Sequence, residues 1–274
     1  MFREQLITSA QNPRVKDVLK LRDKKDRDQT QTFIIEGYRE LLKGVGGGVC
    51  LKTLFYSPPH FLGQNENALI DDIRSLGVEV IEVSGKVFQR FSYRDRPDGL
   101  LAVAFQTHLE LSDLNYKIKK GSASFFLVAE SIEKPGNLGS ILRSADAAGV
   151  DALFVCDRCT DIHNPNVVRA STGTLFTVPV IETSSREAID WLKSHGIKIV
   201  AATPTGTQVY TEEDLKGSVA VAVGTEQLGL SKEWMMAADA ELKIPMHGVA
   251  DSLNVAAATT LLVYEVLRQR QNNC

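Results

Sequence analysis

The chain has 274 residues, 43% of them hydrophobic and 24% charged, enough for one large domain or two ordinary ones and for a core that needs no disulfide or metal staples. Its formal net charge of −3 excludes a uniformly basic nucleic-acid-binding surface, so any such contact has to come from local patches. Four scattered cysteines, Cys50, Cys156, Cys159 and Cys274, exclude a disulfide framework and fit a reducing compartment.

Residues 14–28 place Val15, Val18 and Leu19 on a helical period, and the rest is charged, seven basic side chains against four acidic. This stretch is either a solvated helix face or, through Arg14, Lys16, Arg22 and Lys24, a patch for phosphates. Strands are expected at 33–35, 51–56, 78–83 and 100–105, with helices at 38–45, 66–75 and 86–91 between them, an alternation that indicates a small α/β unit. The loop 90–99 interleaves Arg90, Arg94 and Arg96 with Phe91 and Tyr93. It suits phosphate contact with base stacking, and equally an ordinary surface loop. Residues 107–122, with Lys117, Lys119 and Lys120, read as an interdomain connection. A second α/β run follows, with strands at 125–129, 152–155, 198–202, 219–223 and 241–244 and helices at 138–148, 186–195 and 255–269. Residues 219–223 (VAVAV) are apolar on both faces, as an inner parallel strand should be. No apolar run is long enough to span a bilayer and the N-terminus lacks the apolar core of a signal peptide, so the expectation is a cytoplasmic protein with no membrane partner.

Three segments of the second run carry chemistry. In ESIEKPGNLGSILRSADAAG (130–149), a strand ends, Pro135-Gly136 turns the chain, and Asn137 sits where a helix N-cap belongs. Arg143 follows six residues later, at the edge of the face formed by Leu138, Ile141, Leu142 and Ala145. In GTEQLGLS (224–231), Glu226 directly follows an inner strand and should hang over the carboxyl edge of the sheet, where open α/β sheets bind ligands. In IPMHGVADSLNVAAATTLLVYE (244–265), the polar Ser252 and Asn254 lie between a strand end and an almost wholly apolar helix. Neither a dinucleotide-binding G-x-G-x-x-G after a strand nor a phosphate-binding G-x-x-x-x-G-K-[ST] is present. The five histidines are scattered, so no metal cluster or triad is indicated. Cys156 and Cys159 have CxxC spacing, but no second pair completes a zinc site.

Taken in order, NLGSILR from Asn137, GTEQLGLS from Gly224 and IPMHGVADSLNV from Ile244 resemble the three motifs of the SpoU (TrmH) family of RNA 2′-O-ribose methyltransferases. The segment NPNVVRASTGTLFTVP (164–179), with Arg169, is similar to the family's N-P-x-x-x-R-x-S-x-G stretch. The N-terminal part resembles an L30e-like substrate-binding domain. The resemblance implies an RNA substrate-binding domain over 1–108, a linker over 109–122 and a trefoil-knotted parallel-sheet methyltransferase domain over 123–274. It also implies S-adenosylmethionine as methyl donor and a homodimer. By the same resemblance Thr203, Gly224, Ile244, Met246 and Leu253 border the donor, while Asn137, Arg143, Glu226, Ser252 and Asn254 place the substrate and catalyse. Arg14, Lys16, Arg22, Lys24, Arg94, Arg96 and Arg169 are the expected RNA contacts. Ribosomal RNA is favoured over transfer RNA because of the extra N-terminal domain. The competing reading is a catalytically inactive RNA-binding ribosome-assembly factor of the same fold. One departure from the family pattern is Ala256, where a serine usually follows SLNV; small size is kept and a hydroxyl is lost.

Overall fold

The structure, a computed structural model, describes residues 6–118, 123–157 and 160–271. It divides into two units, Met1–Thr107 with Asp161–Thr177, and His108–Thr160 with Val178–Cys274.

In the first unit, α1 (Pro13–Lys20) starts on an Asn-Pro pair. The Asn12 side chain accepts from the Arg14 amide at 3.0 Å, and Pro13 occupies a position whose amide would be unpaired in any case. The single helix expected over 14–28 is instead two, because α2 (Lys24–Thr30) begins after a turn at 21–23. Arg27 is the reason. Its guanidinium, 2% exposed, donates to the carbonyls of Leu21 and Arg22 at 2.9 and 2.8 Å, the acceptors that a continuous helix would give to the amides four residues on. Strands β1 (Thr32–Glu36), β2 (Leu51–Tyr56), β3 (Glu79–Glu82) and β4 (Leu100–Phe105) form a sheet in the order β1-β4-β2-β3, with only β2 and β3 parallel. Helices α3 (Tyr38–Gly46), α4 (Glu66–Ser75) and α5 (Gly85–Phe91) connect them. Val15, Val18, Phe55, Phe88, Phe91 and Leu101 share one buried cluster.

The second unit is a parallel sheet of seven strands. They are β5 (Phe125–Glu130), β6 (Ala152–Cys156), β7 (Val180–Thr183), β8 (Lys198–Ala202), β9 (Gln208–Val209), β10 (Val219–Val223) and β11 (Ala240–Lys243), in the order β7-β6-β5-β10-β8-β11-β9. The strands β5, β6 and β10 are buried along their whole length, as a parallel sheet covered on both faces requires. Its helices are α6 (Pro135–Ala148), α8 (Ser185–Ser194), α9 (Lys232–Ala237) and α10 (Val255–Gln271). On one face Phe126, Phe154, Leu192 and Trp234 share a core. Elsewhere α6 packs against α10, with Leu138, Ile141, Leu142, Leu262, Val263 and Val266 all buried. Gly149, at φ +69°, closes α6 in the left-handed conformation that glycine adopts without strain.

Between β6 and β7 the chain supplies α7 (Pro165–Ser171), which packs on β1 and belongs to the first unit. It too starts on an Asn-Pro pair, Asn164 accepting from the Asn166 amide at 2.9 Å. The periodicity reading assigns no helix here because seven residues are too short to show a period. The stretch expected as a linker carries local structure of its own. Residues Leu111–Lys117 form a 3-10 helix closed by reciprocal Glu110 and Asp113 caps, and Leu114, fully buried, joins the core of the second unit. Lys119, Lys120, Cys159 and Cys274 lie outside the described residues; Cys156 is buried in β6.

Candidate active site

Three loops leave the carboxyl ends of β8, β10 and β11, and a cavity of about 340 Å³ opens among them, within the range of pockets that bury a small molecule. Its floor is Ala202, Val223 and Leu242; its rim includes Thr203, Gly224, Glu226, Ile244, Met246, Ser252 and Leu253. Every residue expected beside the donor therefore lines this cavity. The backbone shape of its wall is enforced by glycine. A Cβ at residue 224 would collide with the Gly229 carbonyl and the Leu230 amide nitrogen, and one at Gly206 would come within 2.7 Å of the Leu242 carbonyl carbon.

The loop after β10 is a tight reversal. Thr225 and Gly229 exchange amide bonds at 3.1 and 3.0 Å, and the Thr225 hydroxyl accepts from the Leu228 amide at 2.9 Å. Its far end is tied down by Glu130, a carboxylate 4% exposed at the end of β5, which accepts from the Ser231 amide at 2.7 Å. Glu226 is thus held out from a rigid turn. One carboxylate oxygen accepts from the Asn137 side-chain amide at 3.1 Å and from that of Asn254 at 2.6 Å; the other accepts from the Lys134 ammonium. Asn254 also donates to Asn137 Oδ1 at 3.1 Å. The hydrogen bonds from Lys134 and then Asn137, with the charge of Lys134 and the bond from Asn254, hold the Glu226 carboxyl below the usual carboxylate range. With donors on both oxygens, this carboxylate orients its neighbours and is poorly suited to accept a proton.

Asn137, Glu226 and Asn254 thus meet in one cluster, by a geometry that changes one assignment. Asn137 does not cap its helix: α6 begins at Pro135 with Lys134 as N-cap, and Asn137 turns its side chain to Glu226 from the first turn. Asn254 is the capping residue, its Oδ1 accepting from the Ala256 amide at 3.0 Å at the start of α10. Ser252 is exposed on the cavity rim. Arg143 is exposed on α6, and its side chain makes no hydrogen bond or ion pair among the described residues. Its neighbour Ser144 joins Thr260 of α10, hydroxyl to hydroxyl at 2.7 Å. Lys134 was not among the sequence candidates. The available signal was that it is the one cation between Glu130 and Arg143, on the same strand-to-helix turn as Asn137.

In the first unit the expected RNA contacts divide. Arg14, Lys24 and Arg94 are engaged by carboxylates, Arg94 between Glu40 and Asp98. Lys16, Arg22, Arg96 and Arg169 are exposed. Among the described residues no group of three His, Cys, Asp or Glu side chains could hold a metal ion, and no helix is long and apolar enough to cross a membrane.

Comparison with known proteins identifies the family and the fold. The SpoU rRNA Methylase family profile matches residues 124–264, and the MRM3-like substrate binding domain profile matches 12–102. The 23S rRNA (guanosine(2553)-2′-O)-methyltransferase RlmP of Bacillus subtilis is 32% identical, over 95% of this chain and 98% of its own. The 23S rRNA (uridine(2479)-2′-O)-methyltransferase of Streptomyces viridochromogenes is 30% identical, over 91% and 87%. Among solved structures, the AdoMet-bound rRNA methyltransferase from Sinorhizobium meliloti superposes with a TM-score of 0.86 at 32% identity, covering 96% of this chain and 97% of that one. The full-length matches and the family profile over residues 124–264 together establish that this chain belongs to the SpoU rRNA methylase family.

Proposed function

We propose that ribosomal RNA is the substrate of this S-adenosylmethionine-dependent RNA 2′-O-ribose methyltransferase, and that the cavity at the ends of β8, β10 and β11 is its donor site. The observation that carries the reading is the double position of Glu226, which lines the cavity and also gathers Lys134, Asn137 and Asn254. The donor pocket and a polar cluster for the acceptor therefore share one wall. The glycine-enforced backbone at residue 224 leaves room for close approach of a ligand, and Thr203, Gly224, Ile244, Met246 and Leu253 would hold the donor. When bound, S-adenosylmethionine supplies an already activated methyl group, so neither a metal nor a covalent enzyme intermediate is needed.

The work left to the protein is to place the ribose 2′-hydroxyl and to stabilise the charge that develops on it. Glu226 fixes Asn137 and Asn254, whose amides, with Ser252, orient the nucleotide. Arg143 cannot serve as a base because a guanidinium is effectively always protonated. It holds a neighbouring phosphate and stabilises the developing alkoxide. Since Arg143 touches nothing of the Glu226 cluster in its own chain, it reaches the substrate through a homodimer. Supporting that, Ala257, Leu261 and Tyr264 form an exposed stripe on α10, beside α6. A trefoil knot fits the return of the chain from β11, near one sheet edge, to α10, which packs on β10 and α6. A ribosomal RNA substrate supports the reading of a cytoplasmic protein.

The test is transfer of a labelled methyl group to ribosomal RNA, with transfer RNA in parallel. Glu226→Ala should lower kcat by roughly 100-fold, the scale of lost orientation, with donor Kd little changed. Label recovered at a base, or wild-type RNA binding without any transfer, would sink the reading; the second result would favour an inactive assembly factor.

A further inference from the structure

Of the seven basic side chains expected to contact RNA, three are neutralised where they stand. Arg14 pairs with Glu79 at 2.5 Å, Lys24 with Asp28 at 2.9 Å, and Arg94 with Glu40 at 2.7 Å. Arg22 and Arg169 differ. Both are exposed, and neither pairs with a carboxylate among the described residues. Their guanidinium groups converge instead on one stretch of backbone. Arg22 donates through Nη2 to the carbonyls of Arg90 at 3.2 Å and Ser92 at 3.3 Å, and Arg169 donates through Nη1 to that of Tyr93 at 3.2 Å. Arg22 also lies over the Tyr93 ring, 4.8 Å from its centroid, and Arg169 is steadied by Asn166 Oδ1 at 3.3 Å.

A carbonyl is a neutral acceptor. These bonds therefore hold two guanidinium groups in place without cancelling their charge, which is the reverse of what a structural ion pair does. The two arginines come from distant segments, the turn between α1 and α2 and the helix α7, and they meet at one aromatic residue, Arg22 at the Tyr93 ring and Arg169 at the Tyr93 carbonyl. Arg90, in the last turn of α5, and Arg96, on the loop that follows it, are exposed and unpaired among the described residues.

Resting on the RNA methyltransferase reading above, we infer that Arg22, Tyr93 and Arg169 form a clamp for the phosphodiester backbone of unpaired RNA. The planar guanidinium fork matches two phosphate oxygens at once. Positive groups beside an aromatic ring are also the combination that single-stranded nucleic acid engages. The carbonyl anchors remove part of the side-chain entropy that binding would otherwise have to overcome.

The experiment measures binding of fluorescein-labelled oligouridine to the full chain across a range of salt concentrations. On a single strand each phosphate contact contributes about 0.7 to the slope of log affinity against log salt. The double variant R22Q/R169Q should therefore lower the slope by about 1.4. The double variant R22K/R169K, which keeps the charge, should retain it, and K20Q, whose amino group pairs with Asp17 at 2.9 Å, should leave it unchanged. Thermal unfolding checks each variant; if the double glutamine variant does not fold, R22Q and R169Q singly should each lower the slope by about 0.7. An unchanged slope in the glutamine variants overturns the clamp, as does an equal loss in R22K/R169K or in K20Q. Methyl transfer to ribosomal RNA by the wild-type chain tests the underlying reading separately. Slope loss without transfer leaves the clamp standing and the enzyme reading fallen, and transfer without slope loss does the reverse.

Discussion

At the scale of single residues, the site turns on how each charge is compensated. Glu226 has donors on both oxygens and its carboxyl is held below the usual range, first by the hydrogen bond from Lys134. Lys134→Met should raise the Glu226 titration midpoint toward the ordinary carboxylate value, read by carboxyl-carbon NMR. The direction follows because removing a cationic donor disfavours the charged form; a midpoint that stays or falls would refute the role given to Lys134. Gly224 is a different kind of constraint, one of space. Gly224→Ala puts a methyl group against the Gly229 carbonyl and Leu230 nitrogen, so donor binding by calorimetry should weaken by at least about 10-fold, roughly 1.4 kcal/mol. Both residues belong to segments whose pattern is visible in the sequence. What each touches is not, because Glu226 and Asn137 are 89 positions apart.

At the scale of elements, α10 presents two different faces. Leu262, Val263 and Val266 are buried, whereas Leu261 is 40% and Tyr264 47% exposed. An exposed apolar stripe on a helix already packed on its other side suits a second copy of the chain. Leu261→Asp with Tyr264→Asp should shift sedimentation at micromolar concentration from dimer to monomer, and transfer activity should fall with it. A wild-type monomer would remove the route proposed for Arg143. The sequence shows α10 as apolar on almost every side, which an internal helix would also be. Short elements are the ones it hides: α7 and α9 have seven and six residues, less than two turns, so the apolar period never repeats. The Asn-Pro pairs at 12–13 and 164–165 were the local signal, and in the structure both cap helices.

At the scale of the whole molecule, the first unit is discontinuous, because residues 161–177 belong with the N-terminal sheet. Arg27 of α2 binds Asp161 at 2.5 Å across 134 positions of sequence, with the arginine 2% exposed. Burial pushes the Asp161 carboxyl up, but the Arg27 guanidinium and the His163 amide more than offset this and hold it below the usual range. A carboxyl depressed in the folded state adds stability that is full above its unfolded value, about 3.9, and is lost as pH falls through the folded one. Asp161→Ala should therefore cost about 3–5 kcal/mol in urea unfolding at neutral pH, the penalty of a buried unpaired guanidinium, and the gap to wild type should narrow in acid. A cost below about 0.5 kcal/mol would show that solvent already screens the pair. The sequence by itself determined the apolar strands, their alternation with helices and the three motifs that carry the family, because those depend on residues near one another in the chain. Tertiary structure alone decided that β10 lies beside β5, Val223 in register with Ala129, so that the loops carrying Glu226 and Asn137 open side by side. It also decided which arginines pair with carboxylates and which are held by neutral carbonyls. Strand order and charge pairing join residues far apart in sequence, and no local pattern encodes which distant partner each will meet.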